Sequence, residues 1–183
     1  AHQREGGRCG FQIWLTVAAK EKMNPAGYRD IKSQSIPVVS PSEGSSVKVI
    51  AGPFAGRTGP IHGLSTEPLI LDLHLAAGGV FEAPGPAGHN AFLYAYDGEA
   101  RVGPQKKTVP HRAAGLLSDG DSVRLEAGEH GARVLLLAAK PIGQPIVQYG
   151  PFVMNSREEI EQAITDYQSG ELTRERVRRV ETA

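Results

Sequence analysis

The stretch LILDLHL, residues 69–75, limits what this chain can fold into more than any other segment. On an extended backbone Leu69, Leu71, Leu73 and Leu75 share one face, and Ile70, Asp72 and His74 share the other. Four leucines at a period of two ask for a sheet with a buried side. The remainder of the chain is punctuated to match. Its 22 glycines and 13 prolines fall between short apolar runs, as in an all-β protein.

The candidate strands can be read in order. FQIWLTVA (11–18) is the first, followed by an irregular connector over 19–37. SVKVIAG (46–52) alternates, with Val47 and Val49 opposite Lys48. After 69–75 comes GGVFEAP (78–84). NAFLYAYDGEARVG (90–103) has the pattern of a hairpin, with Asp97-Gly98 as its tight turn. Residues 113–140 suggest three more short strands, with turns near Asp119-Gly120 and Glu129 to Gly131. Short strands at regular spacing indicate a sandwich or barrel. The pattern changes at Asn155. Ser156 and Glu159 form a capping box, and Ile160, Ala163, Ile164 and Tyr167 recur at helical spacing until Ser169-Gly170. The charged ELTRERVRRVETA that follows is expected to be a second short helix or a frayed tail.

Composition removes several functions. Lys plus Arg and Asp plus Glu both number 20, so no basic field attracts a phosphate backbone, and direct nucleic-acid binding is not expected. The lone Cys9 cannot close an intrachain disulfide, and nothing around it lowers a thiol pKa. No apolar run approaches the ~20 residues that span a bilayer. The opening AHQREGGRCG lacks both a signal-peptide core and an initiator Met, as expected of an internal fragment, a processed start or a cloning boundary. A cytoplasmic location is expected, or a nuclear one in a eukaryote.

The search for chemistry ends without a site. The histidines are His2, His62, His74, His89, His111 and His130, and no two have the close spacing of paired metal ligands. His74, opposite four leucines, should face solvent or an edge. His62, His111 and His130 fall in loops flanked by Gly or Pro. His89-Asn90 opens the 90–103 segment and is either a ligand at a barrel mouth or, as Gly88 suggests, a turn residue. There is no G-x-S-x-G elbow and no glycine-rich loop leading into a helix. Phe92, Tyr94 and Tyr96 form an aromatic stripe that either lines a pocket or, the commoner outcome on a barrel strand, fills core. No catalytic, cofactor-binding or metal-ligating residue is therefore assigned.

Several stretches resemble the pirin family of two-cupin proteins. VQYGPFVMNSREEIEQAITDYQSGEL (147–172) is similar to the family's C-terminal signature almost throughout. GFQIWLTVAAKEKMNPAGYRDI (10–31) resembles its interdomain segment, and FEAPGPAGHNAFLYAYDGEARVG (81–103) the first half of its second cupin. The resemblance implies an RmlC-like jelly-roll β-barrel with a C-terminal helical tail. It divides the chain into an interdomain strand and connector over 1–37, a cupin barrel over 38–150, and a helix and tail over 151–183. It implies a metal-dependent family, described as quercetin 2,3-dioxygenases or as cofactors of transcription factors and metabolic enzymes. The family holds iron or another divalent metal through three His and one Glu in the first cupin, upstream of the Gly-Phe-Gln-x-Trp strand. Almost nothing precedes Gly10 here, and His2 and Glu5 do not match the ligand motif.

Both half-motifs of a metal-binding cupin are degenerate in the second barrel. The paired-His position reads Pro84-Gly85-Pro86-Ala87-Gly88, and Asn90 and Ala91 lie near the Glu position. Glu126-Ala127-Gly128 is followed by His130 one residue too early. The resemblance also implies that a first barrel would complete FQIWL and cover the 147–154 segment. Without it, Phe11, Ile13, Trp14, Phe152 and Val153 form an apolar patch for self-association or a protein partner. The expectation is thus a truncated or fragmentary family member, with a metal-free interaction module or remnant as the alternative.

Overall fold

In the computed structural model the described residues are 10–85, 87–173 and 178–179. They fall into two units, one of residues 34–141 and one of residues 1–33 with 142–183.

The 34–141 unit is built around Leu69–Leu75, as its alternation predicts. Leu69, Leu71, Leu73 and Leu75 are all buried on the inner face. This strand lies antiparallel between Ser46–Ala51 and Ser122–Ala139. Ser122–Ala139 in turn pairs with Asn90–Val102, and Ala113–Leu116 closes that edge of the sheet. Val38–Val39 forms the opposite edge. Val80–Pro84 and Lys107–Val109 pair with the far halves of the two long strands. The two halves therefore enclose one interior, filled by Val47, Val49, Leu71, Leu73, Phe81, Leu93, Leu125 and Val134. Side chains of this size each contribute roughly 1.5–3 kcal/mol when fully buried. This is the expected all-β cupin-type jelly-roll barrel.

Two features of the strand reading are corrected. Asp97-Gly98 does not reverse the chain, because Asn90–Val102 is one continuous strand of 13 residues. Residues 113–140 hold two strands rather than three, and the Glu129 to Gly131 region is a bend inside Ser122–Ala139. The physical reason is common to both. Gly98 and Gly131 have φ of +66° and +80°, and they pack backbone to backbone where the pairing register shifts. Such an irregularity bends both strands together and carries each from one half of the barrel to the other.

The described residues of the second unit form little regular structure. Residues 10–18 form no strand, so FQIWLTVA is corrected to irregular backbone, followed by a single 3₁₀ turn at Ala19–Glu21. With no ladder to pair against, its period-two pattern has nothing to bury it. Val147–Tyr149 and Phe152–Met154 form a small antiparallel ribbon. The helix Arg157–Ser169 starts and stops as its sequence predicts. Ser156 Oγ accepts from the Glu159 amide, the Glu159 carboxylate accepts from the Ser156 amide, and Gly170 ends the helix at φ +80°. Ile160 and Ala163 are its buried residues. Beyond it, Glu171–Thr173 is a 3₁₀ turn, and the Arg178–Arg179 backbone pairs in parallel with Gly27–Tyr28. That part of the tail is extended rather than helical. His2, Glu5 and Cys9 lie outside the described residues.

Candidate functional site

The barrel interior is the place where a cupin holds a metal. Among the described residues the fully buried side chains here are hydrocarbon, with no imidazole or carboxylate among them. Among the described residues no three His, Cys, Asp or Glu side chains come together in a way that could hold a metal ion. The interior does not fit a divalent cation, which needs several N or O donors at about 2.0–2.2 Å.

The polar chemistry sits on the outer face of the same sheet. Asp72 and His74 project there from Leu69–Leu75, Tyr96 from Asn90–Val102, and Arg133 from Ser122–Ala139. Register brings them together, because Arg133 lies opposite His74 on one side and Asp97 on the other. Tyr96 Oη donates to Asp72 Oδ1 at 2.6 Å and lies 3.0 Å from His74 Nε2. A phenol has one proton, and it goes to the carboxylate, so His74 Nε2 carries the hydrogen that closes the second contact. His74 Nε2 is also 3.3 Å from Asp72 Oδ1, and Lys48 Nζ is 3.9 Å from Asp72 Oδ2. Burial, followed by the bond to Asp72, holds the Tyr96 phenol well above its usual pKa. Ile70, Leu135 and Leu137 pack beside Tyr96 and keep this end of the cluster dry.

Next to the cluster is a surface depression of about 330 Å³, lined by His74, Asp97, Gly98, His130, Gly131 and Arg133 among others. His74 therefore does not simply face solvent, and its side chain is 32% exposed. The aromatic stripe is corrected in the same way. The buried residues at this end of Asn90–Val102 are Leu93 and Ala95, so Phe92, Tyr94 and Tyr96 lie on the outer face.

His89 is structural. Its side chain is only 6% exposed, with Nδ1 3.3 Å from the Ala87 carbonyl and Nε2 3.3 Å from the Glu67 carbonyl. It joins two loops, one of them held at a φ of +45° at Glu67. The Glu67 carboxylate bonds to Lys140, which holds its pKa below the usual value. His62 and His111 are exposed. The grouping of His74, His130, Asp97 and Arg133 has no sequence motif. Only strand register brings these residues together.

An antiparallel sheet folded over an apolar interior, with two long bent strands shared between its halves, defines a cupin-class barrel. Residues 70–173 match the family model described as the Pirin C-terminal cupin domain, and the chain belongs to the pirin family. A putative quercetin 2,3-dioxygenase of Pseudomonas aeruginosa is 48% identical over 177 residues, covering 93% of this chain and 61% of that protein. Human pirin is 37% identical, covering 87% of this chain and 56% of its own length. The solved quercetin 2,3-dioxygenase from Acinetobacter baumannii superposes with a TM-score of 0.80 at 30% identity, over 87% of this chain and 55% of that one. The chain thus spans only 55–61% of the length of these relatives. No helix among the described residues is long and apolar enough to cross a membrane.

Proposed function

We propose that this chain is the metal-free C-terminal cupin half of a pirin-type protein. On this reading, any flavonol-dioxygenase chemistry of the whole protein belongs to a preceding metal-binding cupin. The observation that supports it is the barrel interior, where Val47, Leu71, Leu73, Phe81, Leu93 and Val134 fill the space that metal-bound histidines would need. A carboxylate or imidazole could enter that packing only by displacing close-packed side chains.

The test is elemental analysis of the purified chain after incubation with iron, nickel or copper and desalting, together with a quercetin-consumption assay. Metal well below one equivalent and no turnover are expected. Stoichiometric metal with quercetin turnover would overturn the reading. The same assay on a chain extended to the length of the Pseudomonas relative is expected to recover one bound metal.

A second reading, as a protein-interaction module, is favoured by the exposure of Trp14 at 80%, with Phe11 at 51%. Phe152 is half-buried and packs edge-on against Tyr167. Sedimentation velocity is expected to show concentration-dependent association that Trp14→Ser abolishes. A stable monomer at high concentration would remove this second reading.

A further inference from the structure

We propose that the depression beside Arg133, His74 and His130 is a binding site for a small oxyanion, a carboxylate or phosphate group, held on the outer face of the barrel.

The lining side chains point to this ligand chemistry. Arg133 brings a permanent charge and a planar fork of N–H donors suited to two-point contact with an oxyanion. Two imidazoles, His74 and His130, line the same space, and Asp97 is the one carboxylate among the lining residues. A metal cation lacks a donor set there, since no three metal-ligating side chains converge among the described residues.

Arg133 is free to engage a ligand. Its Nε lies 3.7 Å from Asp97 Oδ2, too long for a hydrogen bond, and both side chains are more than half exposed. Exposed pairs of this kind contribute little, so an incoming anion can displace Asp97 at small cost. Asp97 shows where a carboxylate sits relative to the guanidinium, and it competes with the ligand for that place.

His74 is fixed before any ligand arrives. Its Nε2 is held by Tyr96 and Asp72, and its ring meets the Tyr96 ring edge-on at 6.4 Å and 69°. A ring locked from behind by a half-buried phenol and carboxylate loses little entropy on binding, which is the mark of a preorganised site. The floor is backbone. A Cβ on Gly98 would lie 2.2 Å from the Gly131 carbonyl oxygen, and one on Gly131 would lie 2.6 Å from that of Leu75. The two strands therefore touch there, and the space above them stays open. Its volume of about 330 Å³ is at the small end for ligand sites, which run from roughly 300 to 1,000 Å³.

Isothermal titration calorimetry with sodium malonate, and separately with inorganic phosphate, tests the site at low ionic strength. One saturable site is expected for at least one of the two anions. Arg133→Gln should weaken it about tenfold or more, and His130→Gln about threefold. Asp97→Asn should tighten binding, a gain that misfolding cannot produce. Lys140→Gln, outside the depression, should leave it unchanged. Malonate alone binding assigns the site to carboxylates, phosphate alone assigns it to phosphates, and both together support the shared oxyanion chemistry. No saturable heat with either anion up to about 50 mM, or an affinity unaffected by Arg133→Gln, would overturn the proposal.

Discussion

At the scale of single residues, Tyr96 joins the apolar and the polar parts of the sheet's outer face. Its ring packs among Ile70, Leu135 and Leu137, and its hydroxyl reaches into the polar cluster of Asp72 and His74. Burial, and then the bond to Asp72, push the phenol above its ordinary pKa of 10.0. The unfolded chain ionises this tyrosine at its ordinary value, while the folded chain keeps it neutral. The contribution to stability is therefore fully present below about pH 10 and is lost as pH rises through the folded value. Melting temperatures from about pH 9 to about pH 12 should fall less steeply in Tyr96→Phe than in the wild type. Equal slopes would show that the phenol ionises as freely in the folded chain as in water.

At the scale of elements, the two long strands carry the fold, and their bends decide it. Gly98 sits at φ +66° with the Gly131 carbonyl 2.2 Å from where a Cβ would be. Gly103, in the same segment, has a φ of +69° but open space around it. The two positions separate backbone strain from steric exclusion. Gly103→Ala should cost about 1 kcal/mol, the strain of a left-handed alanine alone. Gly98→Ala should cost on the order of 3 kcal/mol, because the strands must also part. Urea denaturation of both variants measures the difference, and equal losses would show that the close approach relaxes freely.

These bends also mark the limit of what the sequence discloses. The Leu69–Leu75 alternation, the Val47 and Val49 face and the Ser156 cap are local patterns, and each is found where the pattern puts it. Asp97-Gly98 carries the same local signal whether the chain reverses or continues through an irregular bend, since both need glycine at positive φ. FQIWLTVA has strand propensity, yet a strand exists only where a partner ladder pairs with it. The cluster of Tyr96, His74 and Arg133 was not legible in the sequence, because its members are 22 and 37 residues apart and meet only through register.

At the scale of the whole chain, burial is divided very unevenly between the two units. The main core, from Val47 to Ala138, lies wholly within residues 34–141. Among the described residues outside that span the buried hydrophobic ones are Ile160 and Ala163, both on the helix Arg157–Ser169. Two buried side chains supply only a few kcal/mol, against an ordering cost of roughly 1–2 kcal/mol for each backbone residue fixed. The segments flanking the barrel should therefore open locally far more often than the barrel itself. Residues 10–18, irregular and with Trp14 largely exposed, should open most readily of all. Dilute protease acting on the intact chain is expected to cut within residues 10–33 first, and then near the C-terminal helix. The fragment that accumulates should correspond to residues 34–141, still melting cooperatively and with the circular dichroism of a β-barrel. Mass spectrometry of the digest reads the cut sites directly. First cuts inside Leu69–Leu75 or Ser122–Ala139 would mean that the barrel opens as easily as its flanks, and that stability in this chain does not follow its burial.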